Sequence, residues 1–456
     1  MAAMRKRSPS GILTAGPIGP TLVRLSLPML VGIVGMMAFN VVDTFFVGRL
    51  GTLPLAAMTL TFPVVMVIGT FALGLGIGAM VAVSQSIGAG DESRIRRYTT
   101  DALTLAALCV AVLSAIGLAT IEPLFRLLGA TDEMMPFVRQ YMLIWYPGMV
   151  FYIIPIVGNN IIRATGDTLT PSVIMLVSIA INAVLDPLLI FGLGPIPALG
   201  VAGAAIATVV SRALTLAVAL WVLHFHQHLL AFPWPGRRAL VESWRIVLRI
   251  GLPVAVSNIV IPIALGVVTR IVTRFGAEAV AGFGVATRIE SFGLALIYAL
   301  SAGVSPFVGQ NFGAGRMDRV RKGLDYAKAF CLGWGILLLA VFLLFGRRLV
   351  SYFDPDPAAI RAASLYLWII SISLGLRSIH QITWTALNVL GRPYESLFLE
   401  FLLAFGLWIP LAVAGAHVAH LPGVYGGLSL ANLLAGAVAY VWINRVTKPK
   451  DRPAID

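Results

Sequence analysis

Charge is what this chain has least of. Asp, Glu, Lys and Arg together make up 12% of its 456 residues, whereas soluble globular chains carry roughly 25%. Hydrophobic residues reach 59% and the mean hydropathy is +0.91. A water-soluble shell cannot be built from so little charge around so much apolar mass, and the same scarcity excludes a disordered chain. Cysteine is nearly absent. Cys109 and Cys331 each lie inside an apolar run without ligand spacing and read as small apolar residues. No Gly-x-x-x-x-Gly-Lys-Ser/Thr, His-Glu-x-x-His or Gly-x-Ser-x-Gly sequence occurs, which argues against ATP hydrolysis, zinc proteolysis and serine hydrolysis. No cleavable leader is evident; the basic start Arg5-Lys6-Arg7 leads into an apolar run that reads as retained.

What the chain has is length of apolar sequence. A membrane-spanning helix needs about 20 mostly apolar residues. Twelve runs qualify, near 25–48, 54–86, 98–121, 134–162, 171–193, 198–223, 250–273, 279–309, 324–345, 362–388, 396–416 and 422–443. The expected fold class is an all-α polytopic membrane protein with twelve transmembrane helices. Placing the amino terminus in the cytoplasm puts 22 of the 33 Lys and Arg in cytoplasmic segments, seven outside and four within runs. That asymmetry sets orientation. The net charge of +13 is therefore a topology signal and not a nucleic-acid footprint. Both termini are expected in the cytoplasm.

The halves repeat at an offset of 225 residues without a gap. Arg24 matches Arg249, Leu27-Pro28 matches Leu252-Pro253, and Gln85 matches Gln310. Gly88-Ala89-Gly90 matches Gly313-Ala314-Gly315, and Tyr141 matches Tyr366. Six spans per half bring both halves in from the same side, as parallel repeats of the kind found in secondary transporters. The expected organisation is a tail 1–20, an amino-terminal lobe 21–223, a linker 224–248 containing Phe232-Pro233-Trp234-Pro235-Gly236, a carboxy-terminal lobe 249–444 and a tail 445–456. Each lobe is a six-helix bundle.

Departures from the repeat point to chemistry. Asp43 pairs with Val268, Asp186 with Leu411 and Asn182 with Leu407. A charged side chain at membrane depth costs roughly 2.5–3.5 kcal/mol on insertion scales, so such an acid must be paired, protonated or wet. Asn40 and Asp43 share one face of the first helix, and Asn182 and Asp186 one face of the fifth. If these faces meet, the pocket can take a proton or an oxygen-ligated sodium ion. The plainer alternative is that each acid caps a helix near the outer interface. Pro28 permits a bend in the first helix, although its mate Pro253 also marks it as scaffold. Glu290 stands two residues after Arg288 and does not face it; Arg377 and His380 share a face and are candidates to line the second lobe. His224, His226 and His228 read as a solvated helix end.

Val42-Asp43-Thr44-Phe45-Phe46-Val47-Gly48-Arg49-Leu50-Gly51 resembles the first-helix signature of the multidrug and toxic compound extrusion (MATE) family. So do Arg163-Ala164-Thr165-Gly166-Asp167-Thr168, Asn182-x-x-x-Asp186-Pro187 and Gly200-Val201-Ala202-Gly203-Ala204-Ala205-Ile206-Ala207-Thr208. The likeness extends over essentially the whole chain. Acids confined to the first lobe are similar to the DinF-type bacterial and archaeal branch; the other bacterial branch has acids in helices 7 and 10.

The resemblance implies a V-shaped pair of bundles with a central cavity. It implies an antiporter that exports amphiphilic, often cationic, organic compounds in exchange for a proton or sodium ion. Carried over by motif, the cation site, a candidate sodium site included, is Asp43, Asn182, Asp186 and Thr208, with the Ala204 carbonyl nearby. Asn40 and Asn160 match polar cavity positions, joined here by Glu290 and Arg377, and Pro28 matches the hinge. Val157 stands where some relatives have a second asparagine. Expected partners are a small organic substrate and the lipid bilayer, with no nucleic acid and no bound cofactor. The chain is expected to act as a monomer in a bacterial or archaeal cytoplasmic membrane. The alternatives are a lipid-linked oligosaccharide flippase, which usually has more spans and several cavity cations, and a membrane enzyme or receptor, which lacks a catalytic constellation here. A sugar-porter-type transporter would need a charged loop after helix 2, where Gly88-Ala89-Gly90-Asp91 stands.

Overall fold

The computed structural model describes residues 13–192, 195, 197–231, 236–353 and 355–448, and only the backbone of 38–45, 47 and 48. The linker residues 232–235, residues 1–12 and 449–456 of the terminal tails, and the side chains of Asn40 and Asp43 therefore lie outside the described residues. Among the described residues every regular element is a helix. In chain order these are α1 (Ile18–Gly48), α2 (Thr52–Ala89), α3 (Glu92–Leu127), α4 (Met135–Gly148), α5 (Val150–Ala164), α6 (Leu169–Phe191) and α7 (Gly200–Trp221). After them come α8 (Arg237–Val272), α9 (Ala277–Gly313), α10 (Met317–Ser351), α11 (Pro357–Ser371), α12 (Leu374–Val389), α13 (Pro393–Phe401) and α14 (Ile409–Val446).

Among the described residues nine helical stretches are long and apolar enough to cross a membrane, or eleven when two bent pairs each count as one span. The stretch Pro393–Val446 is 54 residues long and breaks at Ala419 and His420, where φ/ψ leave the helical region. Pro422, just beyond, cannot donate the bond that would continue the helix. Past the break the chain returns along itself: Gly423 meets the Gly415 backbone and Gly427 meets Leu411. Counting it as two raises eleven spans to twelve. All-α polytopic architecture is thus what the sequence predicts and what the structure has.

Two apolar runs read as continuous helices are bent. The run 134–162 divides into α4 and α5 at 43°, and 362–388 into α11 and α12 at 63°. The two bends fall at the same place in the repeat, near Gly148 and Ser373. In the first, Pro147 removes a backbone donor. In the second, Ser371 Oγ donates to Trp368 O at 3.1 Å and Ser373 Oγ to Ile370 O at 2.8 Å, side-chain bonds that compete with the ladder.

The chain forms two compact units, and their borders fall inside helices. One unit holds Val31–Ala255; the other holds Gly11–Leu30 with Val256–Asp456. The early part of α1 thus packs with the second unit and the early part of α8 with the first. Both changeovers come two residues after a repeated proline, Pro28 in α1 and Pro253 in α8.

Small residues make the exchange close. In the first unit α2 touches α8: a Cβ at Gly78 would overlap Val247 O and stand 3.2 Å from Gly251 N. In the second, at the repeat-equivalent place, a Cβ at Gly303 of α9 would stand 2.6 Å from Ser26 Oγ of α1. Residues just ahead of α1 are held too. Asn311 Nδ2 donates to Leu13 O (3.1 Å), Arg316 Nη1 to Thr14 O (2.8 Å) and Arg319 Nη2 to Gly16 O (3.1 Å). In the first unit Trp244 Nε1 of α8 donates to Asp101 O of α3 at 2.9 Å.

Candidate functional site

In the first unit the site grows from the contact of α6 with α7. Gly203 lies so close to α6 that a Cβ there would stand 2.9 Å from Ile190 N, with Leu189 O nearer still. This approach brings the middle of α7 onto the polar face of α6. Asn182 and Asp186 are four residues apart on that face and are 2% and 0% exposed. In the amide orientation that satisfies both its ends, Asn182 donates to Asp186 Oδ2 at 2.9 Å and accepts from the Thr208 backbone N–H at 3.3 Å. Three of the four expected cation-site residues are therefore one contiguous group. Thr208 joins through its backbone, where the sequence reading assigned no particular atom. Ala204, one turn earlier, is buried against Ile190.

Asp43 belongs to α1, and the described contacts of α1 with α6 bracket its position. A Cβ at Gly32 would meet Ser172 Oγ at 3.5 Å, and one at Gly35 would meet Leu176 at 2.8 Å. Further along, the Phe46 and Phe191 rings lie 6.5 Å apart, edge to face. The helices run parallel with this register, which sets the Asp43 backbone at the level of Asp186.

Asn160 is 3% exposed. Its Nδ2 donates to Ile156 O at 2.8 Å, and its Oδ1 accepts from Arg163. Higher on the same helix pair, Arg212 of α7 lies over the Tyr152 ring of α5, 4.6 Å from its centroid. The Tyr152 hydroxyl abuts Gly69 of α2, and Trp145 packs on the Tyr152 ring at 6.1 Å. Neither Arg212 nor Tyr152 stood out in the sequence reading. The available signal was an arginine four residues after Thr208, in the middle of an apolar run.

The second unit holds a different polar cluster. Glu290 of α9 accepts from the Tyr366 hydroxyl of α11 at 2.6 Å. Arg377 of α12 lies over Trp408, 5.2 Å from the ring centroid, with Nη1 3.4 Å from His380 Nδ1. It borders a small cavity with Tyr298, Ser378 and Gln381. Glu290 and Arg377 are not an ion pair by distance; no salt bridge joins them among the described residues. Behind His380 sits Glu400 of α13, 4% exposed, with Oε1 3.9 Å from His380 Nδ1 and Oε2 without a hydrogen-bond partner. Glu400 was not singled out from sequence, although one acid inside an apolar run was visible there. The alternating histidines 224, 226 and 228 form no metal site: among the described residues no three His, Cys, Asp or Glu gather as ligands.

The MatE family model matches this chain twice, over residues 28–188 and 253–414, and the two matches begin 225 residues apart, like the internal repeat. A Shewanella oneidensis protein named FAD transporter is 38% identical over 442 residues, covering 96% of this chain and 97% of that one. A Bacillus subtilis protein named probable multidrug resistance protein YoeA is 28% identical, covering 94% and 93%. Among solved structures, the Vibrio cholerae MATE transporter VcmN in its bent form superposes with a TM-score of 0.90 at 28% identity, covering 94% of this chain and 97% of that one.

Proposed function

The chain belongs to the MatE family, a multi-pass membrane protein group whose relatives here include proteins named as transporters and a probable multidrug resistance protein, and we propose that it is a cation-coupled exporter of organic compounds. The observation that carries this reading is the buried Asn182–Asp186–Thr208 group, set level with Asp43 on α1. A carboxylate with no water access is held by an amide and aimed into a helical bundle. Charging and neutralising it is the chemistry a coupling ion requires.

The cycle runs as follows. Facing outward, the first unit takes a proton or sodium ion at Asp43 and Asp186, α1 bends near Pro28, and cargo leaves. Facing inward, the ion is released and fresh cargo binds. One charge moving inward at 100 mV supplies about 2.3 kcal/mol, enough for roughly fortyfold concentration at 1.4 kcal/mol per factor of ten. Acids at Asp43 and Asp186 but not at their repeat mates support the DinF-type branch. The Lys and Arg asymmetry supports a cytoplasmic membrane with both termini inside.

A second reading concerns the cargo. The relative that shares 38% identity at nearly full coverage is named for a flavin dinucleotide, while the multidrug-named relative shares 28%. This favours an aromatic anion over a lipophilic cation as the natural cargo. Such an anion moves outward down the membrane potential.

The test uses the purified full chain in vesicles, with proton and sodium gradients imposed separately and either ethidium or FAD as cargo. Transport driven by one gradient and lost in Asp186→Asn is the expected result. Full gradient-driven transport in Asp186→Asn overturns the coupling site, whichever cargo is carried.

A further inference from the structure

Arg212 stands near the middle of the 27-residue span Gly200–His226. An arginine at that depth needs a counter-charge, dense hydrogen bonding or water. Among the described residues no carboxylate lies within 4 Å of it, and its guanidinium lies over the face of Tyr152, 4.6 Å from the ring centroid. A ring face attracts the guanidinium but uses none of its five N–H donors. Among the described residues the planar fork that would hold two oxygens has no carboxylate partner, and the ring faces it from one side.

That ring is itself held. Its hydroxyl end abuts Gly69, where a Cβ would stand 2.6 Å away, and Trp145, 4% exposed, packs on it at 6.1 Å. The result is an aromatic wall beneath a cation that has no carboxylate partner among the described residues, one helical turn along α7 from Thr208. The repeat mate of Arg212 is Ala437, so the feature belongs to the first unit and is not part of the duplicated scaffold.

We propose that Arg212, backed by Tyr152, is a binding residue for the anionic group of a transported aromatic compound, a phosphate or carboxylate carried next to a planar ring. Arginine suits this role because its fork matches the oxygens of such a group in pairs, and Tyr152 keeps the fork aimed. The assignment rests on the reading of the cargo as an aromatic anion.

The experiment measures equilibrium binding to the purified full chain with three probes: FAD, riboflavin, which has the same ring system without phosphate, and ethidium, a planar cation. The wild-type protein is expected to bind FAD at least tenfold more tightly than riboflavin. Arg212→Gln is expected to weaken FAD roughly ten- to a hundredfold, the range for a charged hydrogen bond, and to change riboflavin and ethidium less than twofold. Arg212→Lys keeps the charge without the fork and is expected to fall between, at about three- to tenfold for FAD. Should Arg212→Gln fail to fold, as judged by size exclusion and melting, Arg212→Lys decides. A folded variant that binds FAD as the wild type does removes Arg212 from the site and leaves the cargo reading standing. A wild-type protein that binds ethidium but not FAD overturns both the cargo reading and this site, while the Asp186→Asn transport test still stands on its own.

Discussion

The two units share one scaffold and have put their polar groups in different places. Where the first has Asn182, Asp186, Thr208 and Arg212, the second has Leu407, Leu411, Leu433 and Ala437. Where the second has Glu290, His380, Glu400 and Trp408, the first has Val65, Pro155, Met175 and Ala183. Tyr152, the platform under an arginine, is the repeat mate of Arg377, an arginine on a platform. The lesson is that duplication fixed the packing and left each bundle free to acquire its own buried polar groups.

The largest way to break this division is to write the acid of the first unit into the second. Leu411→Asp should lower stability by roughly 2.5–3.5 kcal/mol, because the hydrocarbon around position 411 offers no equivalent of Asn182. A melting curve that matches the wild type would mean the second unit can host the same site. Next, Tyr366→Phe removes the donor at 2.6 Å from Glu290. Leaving a buried acceptor without its donor costs about 1–3 kcal/mol, and Asn182→Ala in the first unit should cost a similar amount. Unequal losses in denaturant titration would rank the two clusters.

A third comparison concerns the swapped helices. Gly78→Ala pushes a methyl into backbone, whereas at Gly303 the nearest atom is the Ser26 side chain, with Ser26 N at 3.1 Å. Overpacking of this kind costs about 1–3 kcal/mol, and Gly78→Ala should melt lower than Gly303→Ala. The smallest effect is expected at the exposed pair Asp91–Arg94, 37% and 64% exposed. Arg94→Ala should shift stability by about 1 kcal/mol or less, and by less still at high salt.

Much of this was legible before any coordinates. Span number, the duplication and its offset follow from hydropathy and identity along the chain. Asn182 and Asp186 stood out because helical spacing put them on one face and the repeat removed them from the other half. The bends between α4 and α5 and between α11 and α12 were not legible, because an apolar run reads the same whether it is straight or broken. Arg212 is one of the four basic residues inside apolar runs, and hydropathy alone gives it no role. What distinguishes it is its seat over Tyr152 with no carboxylate partner among the described residues, and that is a fact of three dimensions. Glu400 escaped notice for the same reason: its meaning comes from His380, twenty residues earlier in sequence and 3.9 Å away in space.

The borders inside α1 and α8 carry a consequence for ancestry and for dissection. Each six-helix half leaves the opening stretch of its own leading helix packed in the other half. A single-copy forebear built on this plan would have completed its bundle only by trading that stretch with a second copy, as domain-swapped dimers do. Cutting the present chain in the linker should likewise yield two fragments that assemble when made together and that each aggregate when made alone.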